Sequence, residues 1–290
     1  MKVFVCANLT KEKSAAAFPK IISELQKNNI TPLAESKYAD ICQSLSISGI
    51  TFAEAEENAA NCDIFLTVGG DGTILRWGKR AARHGKPLLG VNTGRLGFMA
   101  TLETDDISKL SALASGSYEI SPRMLIEVTL NSVNKTQHYT ALNDVVLFKG
   151  VRSKLPEYIV YSGDTELTGV RADGMIISTP TGSTAYSLSA GGPIIDPRLA
   201  CFELTALSPH TLFSRPMIFS ADIPLKAKYI AYENSSVFLS VDGSESIELS
   251  PDDHILIEKS QLTLKLIDID GGSFYSSVHN KLMRPLKSGR

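Results

Sequence analysis

Asp63-Ile-Phe-Leu-Thr-Val68 runs directly into Gly69-Gly70-Asp71-Gly72-Thr73, and a helical pattern begins at once. The first six residues predict a short apolar strand. The three glycines then open a turn whose backbone N–H groups can approach a ligand with no Cβ in the way, and the helix start that follows favours anions. One carboxylate, Asp71, stands in the middle of this cradle. It would repel phosphate, so its position points to chemistry, as a base or through a bound metal ion, rather than to affinity. A tight βα turn with Asp71 or Thr73 capping the helix would account for the same residues without a ligand. The rest of the chain has to decide between these readings.

On either side of this loop, residues 1 to about 120 alternate strand and helix. Val3–Ala7 predicts a first strand, and Ala17, Ile21 and Leu25 recur at a spacing of four that gives a helix face. A helix is expected at 53–60. After the loop, Ile74, Leu75, Gly78, Ala81 and Ala82 share one helical face, with Arg76, Lys79, Arg80 and Arg83 mostly off it. These basic residues read as a solvated face, except Arg76, which is one turn from the loop and within its reach. Pro87–Val91 predicts the next strand, closed by Asn92-Thr-Gly-Arg-Leu-Gly-Phe98 as a second glycine-bearing βα loop. Such alternation implies a parallel sheet with ligands at the carboxyl ends of its strands.

The pattern changes near Ser121-Pro122. Leu125–Leu130 and Gln137–Leu142 flank Asn131-Ser-Val-Asn134 as a hairpin. Short β-rich segments follow at 144–149, 157–162, 165–170, 174–178, 215–219, 225–232, 236–241 and 253–258, separated by turn residues such as Ser162-Gly-Asp164, Val241-Asp-Gly243 and Pro251-Asp-Asp253. That rhythm predicts an antiparallel, sandwich-like domain. Beyond Gln261 the reading is one alternating strand through Leu262, Leu264 and Leu266, then a helix to about Leu282 that returns to the first domain. The expected division is 1–120 with about 265–290, and 121–264.

Bulk properties exclude several classes. A chain of 290 residues with 43% hydrophobic and 21% charged residues is an ordinary globular composition, long enough for two domains. A net charge of -2 offers no electrostatic footprint for nucleic acid or an anionic membrane. No apolar run approaches the roughly 20 residues of a membrane span, and the N-terminus lacks a signal-peptide layout, so a cytoplasmic protein is expected. Cys6, Cys42, Cys62 and Cys201 form no C-x-x-C pair, and the five histidines are scattered. They read as buried, reduced cysteines and argue against a zinc site or a histidine triad. No metal ligand from the protein is assigned. Any metal should be a hard cation such as Mg²⁺, held mainly by substrate phosphates.

Two segments of the second domain could complete a site. Thr179-Pro-Thr-Gly-Ser-Thr-Ala-Tyr186 packs hydroxyls and a phenol around a glycine. It suits ribose edges, with Tyr186 as a stacking face for a base, or else it is a Ser/Thr-rich turn. Asn143-Asp144 could pair an amide with adenine and a carboxylate with ribose hydroxyls, or form a turn. Asp173-Gly174 has the same ambiguity.

In this order and spacing, the 69–73 loop, 92–98, Asn143-Asp144, Asp173-Gly174 and 179–186 resemble the NAD kinase family across essentially the whole chain. The glycine loop alone would also suit lipid kinases such as diacylglycerol kinases. The resemblance implies ATP as donor, NAD as acceptor, Mg²⁺ and a homodimer or homotetramer. It implies Asp71 as the base that deprotonates the 2′-hydroxyl of the adenosine ribose, with Gly69, Gly70, Gly72 and Thr73 as the phosphate loop. Asn143 and Asp144 match adenosine-binding positions, and Asp173 matches an acid near the nicotinamide. Thr184, Ala185, Tyr186, Ser187, Leu188 and Ser189 match the segment that wraps the dinucleotide. Arg76, Lys154, Arg171 and Ser208 lie where further contacts occur, and a cation at Arg171 would act differently on charged and neutral nicotinamide rings. Two positions depart from the family pattern: Asp144 stands where many members have Glu, and Ser244 where a glutamine is common. A non-catalytic dinucleotide sensor is the rival in another class, and Asp71 argues against it.

Overall fold

The structure, a computed structural model, describes residues 1–94, 97–151, 153–211, 214–232 and 235–283. It contains two compact units, Met1–Pro122 with the segment from Leu264, and Arg123–Thr263.

In the first unit, β1 (Lys2–Ala7), α1 (Glu12–Lys27), β2 (Thr31–Glu35), α2 (Ala39–Ser44), β3 (Thr51–Ala53), α3 (Ala55–Asn61), β4 (Ile64–Val68), α4 (Asp71–Arg83) and β5 (Pro87–Asn92) follow in turn. The strands pair in parallel in the order β5-β4-β1-β2-β3. Side chains of β1 alternate between two covered faces. Val3 and Val5 cluster with Phe18, Ile21 and Leu25 of α1. Phe4 meets Phe65 at 5.5 Å and Trp77 of α4 edge-on at 5.3 Å. Cover on both faces explains why β4 is buried at every residue and reads as an apolar run broken only by Thr67.

Several details of this unit differ from the sequence reading. The helix expected at 53–60 begins at Ala55, because Thr51–Ala53 is paired as β3. On α4 the buried face uses Trp77 in place of Leu75. The second glycine loop leads not into a helix but to β6 (Leu102–Glu103), parallel to β5, followed by a 3₁₀ segment at Thr104–Leu110 and α5 (Ser111–Ser115).

β7 (Glu119–Ser132) leads into the second unit and forms the expected hairpin with β8 (Lys135–Ala141). There follow β9 (Asp144–Lys149), β10 (Glu157–Ser162), β11 (Thr165–Arg171), β12 (Gly174–Ser178), α6 (Tyr186–Ser189), β13 (Cys201–Leu207) and β14 (Met217–Ser220). Then come β15 (Leu225–Ile230), β16 (Val237–Val241), β17 (Ile247–Leu249) and β18 (His254–Asp268). One antiparallel sheet runs β14-β13-β12-β9-β16-β17, and a second layer runs β11-β10-β15-β18. Val145, Leu147, Met175 and Ile177 of the first pack with Tyr158, Val160, Ile255 and Ile257 of the second in one core, the signature of a sandwich.

The two segments expected at 253–258 and 262–266 are one strand, β18. From Leu264 onward the chain belongs to the first unit, and Lys265 and Leu266 pair in parallel with Pro87 and Leu88 of β5. α7 (Ser273–Val278) follows. Among the described residues no helix is long and apolar enough to cross a membrane.

Candidate functional site

β4 ends at Val68 and α4 begins at Asp71, so the glycine loop occupies the carboxyl end of a central parallel strand. Gly69 donates its N–H to Val91 O at 2.9 Å, which ties the loop to β5. A Cβ on Gly69 would run into the Thr73 hydroxyl, so the turn requires glycine there. Gly70 and Gly72 have open space where a side chain would be.

Asp71 is the first helical residue, and its carboxylate is held from outside the glycine loop. Phe98 N–H donates to Oδ2 at 2.7 Å, and Met99 and Ala100 N–H donate to Oδ1 at 3.2 and 3.4 Å. Gly97 passes so close that a Cβ there would overlap the Asp71 carboxylate. The second glycine stretch thus positions the acid of the first, a role that its sequence did not disclose. Arg95 and Leu96 of that stretch lie outside the described residues.

A cavity of about 650 Å³ opens beside the loop. Gly70, Gly72, Thr73 and Arg76 line it together with Asn8 after β1, Lys11 at the start of α1, and Lys37 and Tyr38 after β2. Sequence reasoning missed Lys11 and Lys37. The signal available was their position just past the carboxyl ends of β1 and β2, where open α/β sheets bind ligands. Arg76 is exposed, and its guanidinium sits 5.8 Å from the Trp77 ring centroid. Arg80 lies over the same ring at 5.1 Å and pairs with Glu56 at 3.4 Å, so it is more engaged than a solvated face implies.

In the second unit, Asp144 and Ser178 are paired where β9 meets β12, and both strands run into the polar segments there. Thr179 N–H donates to Asn143 O at 2.8 Å, and Thr179 Oγ1 donates to Leu142 O at 2.6 Å. A Cβ on Gly182 would collide with Asn143 O. Asn143-Asp144 and the 179–186 segment are therefore one structure.

Asp242, read from sequence only as a turn residue, organises that structure. It takes φ +52° with Gly243 at +67°, a conformation Asp tolerates better than most side chains. Its carboxylate accepts N–H from Leu142 (2.9 Å), Asn143 (2.8 Å) and Asp144 (3.2 Å). Ser244 stays within its own turn: its carbonyl accepts Ser240 Oγ–H at 3.0 Å and its Oγ accepts Val241 N–H at 3.4 Å.

Asp144 is 6% exposed, and burial, followed by the charge of Asp242, pushes its carboxyl up to about 7. Asn143 Oδ1 and Thr181 Oγ1 are buried and have no hydrogen-bond partner among the described residues. Buried polar atoms are rarely left so, and these two fit a ligand that supplies the missing partners. Thr181 was not singled out in the sequence.

The remaining candidates divide into two groups. Tyr186 is 48% exposed, Ser189 is exposed, and Thr184, Ala185 and Leu188 are half-buried beside them. Ser187 differs: it is buried, and its hydroxyl donates to Glu203 Oε1 at 2.6 Å. The other group gathers where β11 and β13 end and β12 begins. Asp173 N–H donates to Leu207 O at 2.9 Å, and its carboxylate lies 3.6 Å from Lys149 Nζ. Arg171 is exposed over the Tyr232 ring at 5.2 Å, and its carbonyl accepts His210 N–H at 2.7 Å. Ser208 is exposed with φ +45°. Lys154 is exposed, and its carbonyl accepts Ser235 Oγ–H at 3.4 Å.

A parallel sheet that presents an anchored acid in a glycine loop, on one chain with a β-sandwich unit carrying a hydroxyl-rich turn, has the parts a phosphotransferase needs. Family models agree unit by unit: the ATP-NAD kinase N-terminal domain matches residues 3–118 and the ATP-NAD kinase C-terminal domain residues 142–269. The chain belongs to the ATP-NAD kinase family. An NAD kinase of Symbiobacterium thermophilum is 39% identical over 222 residues, 76% of this chain and 78% of that protein. One of Moorella thermoacetica is 35% identical over 284 residues, 97% of this chain and 89% of its own length. Among solved structures, a yeast NADH kinase complexed with NADH has a TM-score of 0.87 over 100% of this chain and 89% of its own. At 24% identity that likeness is one of fold.

Proposed function

We propose that this chain transfers the γ-phosphoryl group of ATP to the 2′-hydroxyl of the adenosine ribose of NAD, forming NADP, with Asp71 as the base. The observation that carries this reading is the anchoring of Asp71 by the amides of Phe98, Met99 and Ala100. Binding alone gains nothing from a carboxylate fixed beside a phosphate loop. An alcohol is a weak nucleophile near neutral pH, so a carboxylate within reach of its proton aids attack. Phosphoryl transfer otherwise needs alignment and charge stabilisation, which the open amides at Gly70 and Gly72 would supply. Lys11, Lys37 and Arg76 around the same cavity would hold the triphosphate of the donor.

Bound together with the donor nucleotide, Mg²⁺ would offset the negative charge that develops during transfer. The residues present fit a cation held mainly by the nucleotide. Asp71 Oδ1 is shared by two amides while Oδ2 accepts one and keeps a lone pair, so the loop offers a single carboxylate oxygen with spare capacity.

For NAD, Asn143 Oδ1 would accept the adenine amino group and Asp144 the ribose hydroxyls, with Tyr186 stacking on a base. Thr184, Ala185, Leu188 and Ser189 would follow the dinucleotide, and Asp173, Arg171, Ser208 and Lys154 would lie toward its nicotinamide end. The Ser187 hydroxyl is committed to Glu203 and is not assigned to NAD. We place the enzyme in the cytoplasm as a homodimer or homotetramer. The outer edge of β14, unpaired among the described residues and carrying exposed Ile218, supports self-association. Light scattering tests the oligomer.

The decisive experiment offers the purified chain NAD, ATP and Mg²⁺, with diacylglycerol in a parallel reaction. NADP, detected by an NADP-specific dehydrogenase, is the expected product. Absence of NADP, or phosphorylation of the lipid instead, refutes the proposal.

A further inference from the structure

α6 spans four residues, Tyr186–Ser189, and an isolated single turn of helix does not hold itself together in water. It must be anchored from outside. Of its four described residues Ser187 alone is buried. Ser187 Oγ donates to Glu203 Oε1 at 2.6 Å and lies 3.1 Å from Thr205 Oγ1, which itself donates to Glu203 Oε1 at 3.1 Å. All three side chains are essentially sealed from solvent: Ser187 and Glu203 at 0% and Thr205 at 1% exposure.

Glu203 sits in β13, an interior strand, with Ser178 of β12 opposite it on one side and Ile218 of β14 on the other. A carboxyl is a costly occupant of such a position, more so because its Oε2 is buried with no partner among the described residues. Burial accordingly drives its acidity down, while the Ser187 and Thr205 hydroxyls pull the other way. Packing alone would favour an apolar side chain here. Glu203 also shapes the chain beyond α6. A Cβ on Gly192 would collide with Glu203 Oε1 and with Ser187, and Gly192 N–H donates to Ser187 O at 2.9 Å.

We infer that Glu203 is a positioning residue for dinucleotide binding: with Thr205 it clamps Ser187, and so fixes the turn that presents Tyr186 and Ser189 to NAD. This rests on the proposed role of the 184–189 segment. Glu203, Thr205 and Ser187 all belong to the Arg123–Thr263 unit, whereas the glycine loop belongs to the other. Loss of the clamp should therefore appear in NAD affinity and not in the handling of ATP. Gln at the same position keeps an acceptor for the two hydroxyls, whereas Leu removes it.

The test measures NAD binding by calorimetry without ATP, steady-state kinetics, and hydrogen exchange of peptides covering 184–195. Glu203→Leu should raise the Kd and KM for NAD about tenfold and speed exchange at 186–190. kcat and the KM for ATP should stay within about twofold of wild type, and Glu203→Gln should recover most of the affinity. If Glu203→Leu does not fold, Thr205→Val, which removes one of the two donors, should raise the Kd for NAD a few-fold. An unchanged Kd in every variant that folds overturns the clamp. So does a fall in kcat and in both affinities together, which marks general damage. Wild-type protein that binds NAD but makes no NADP overturns the kinase reading while the Kd comparison still decides the clamp. Wild-type protein that does not bind NAD overturns both.

Discussion

Raising the pH from about 6 to about 8 should tighten NAD about tenfold, and Asp144→Asn should remove that dependence. The magnitude follows from the site. Asp144 is 6% exposed beside the Asp242 charge, and its carboxyl titrates at about 7. To accept ribose hydroxyls as a carboxylate it must first lose its proton. One unit below its pKa that loss costs about 1.4 kcal/mol, a factor of about ten, and one unit above it costs almost nothing. The same shift acts on folding, with a definite sign. The folded pKa lies above the roughly 3.9 of an unfolded aspartate, so the folded chain holds an extra proton between about pH 4 and pH 7. Stability falls as the pH rises through that window and is lower by about 4 kcal/mol above it. Asn, neutral throughout, flattens this contribution as well. Calorimetric titration of NAD without ATP, at three pH values on both proteins, is the assay. A wild-type Kd that moves less than threefold, or a tenfold slope that persists in Asp144→Asn, would refute the reasoning.

Asp71→Asn should bind NAD about normally while kcat falls about 10²–10⁴-fold, the usual loss on removing a general base; near-wild-type turnover would sink the assignment. Gly97→Ala should displace the Asp71 carboxylate, whose place the new methyl would occupy. About a hundredfold loss in kcat with unchanged NAD affinity is expected, since misplacement by about 1 Å can cost that much, and circular dichroism checks that the fold survives. Tyr186→Ala should raise KM for NAD about tenfold with a smaller change in kcat, in line with the loss of a base-stacking ring. An unchanged KM would count against stacking there.

The fold was legible where burial imposes a simple pattern. β4 is buried at every position because both faces are covered, and β1 shows the same apolar run, whereas α1 and α4 declare themselves by one buried face each. It was illegible where pairing overrides local signals. β13 carries Glu203 in an interior strand, β2 contains Pro32, and Lys259-Ser260-Gln261 masks the continuity of β18. The site was half-legible for a related reason. Asp71 could be singled out as a misplaced charge, but its amide partners are 27 to 29 residues away, a distance that no local pattern encodes. Asp242 lies about 100 residues from the Asn143-Asp144 segment that it organises, and only the Asp-Gly turn signal marked it.

The order in which the chain is made gives β18 a further meaning. Lys265 and Leu266 pair with Pro87 and Leu88, so this part of β5 has no partner on that side until some 180 residues later. On a ribosome, the whole Arg123–Thr263 unit is synthesised before the first unit receives its last strand. Domains generally fold as they emerge. The sandwich can therefore form first, while the sheet that carries the glycine loop, begun earlier, is completed last.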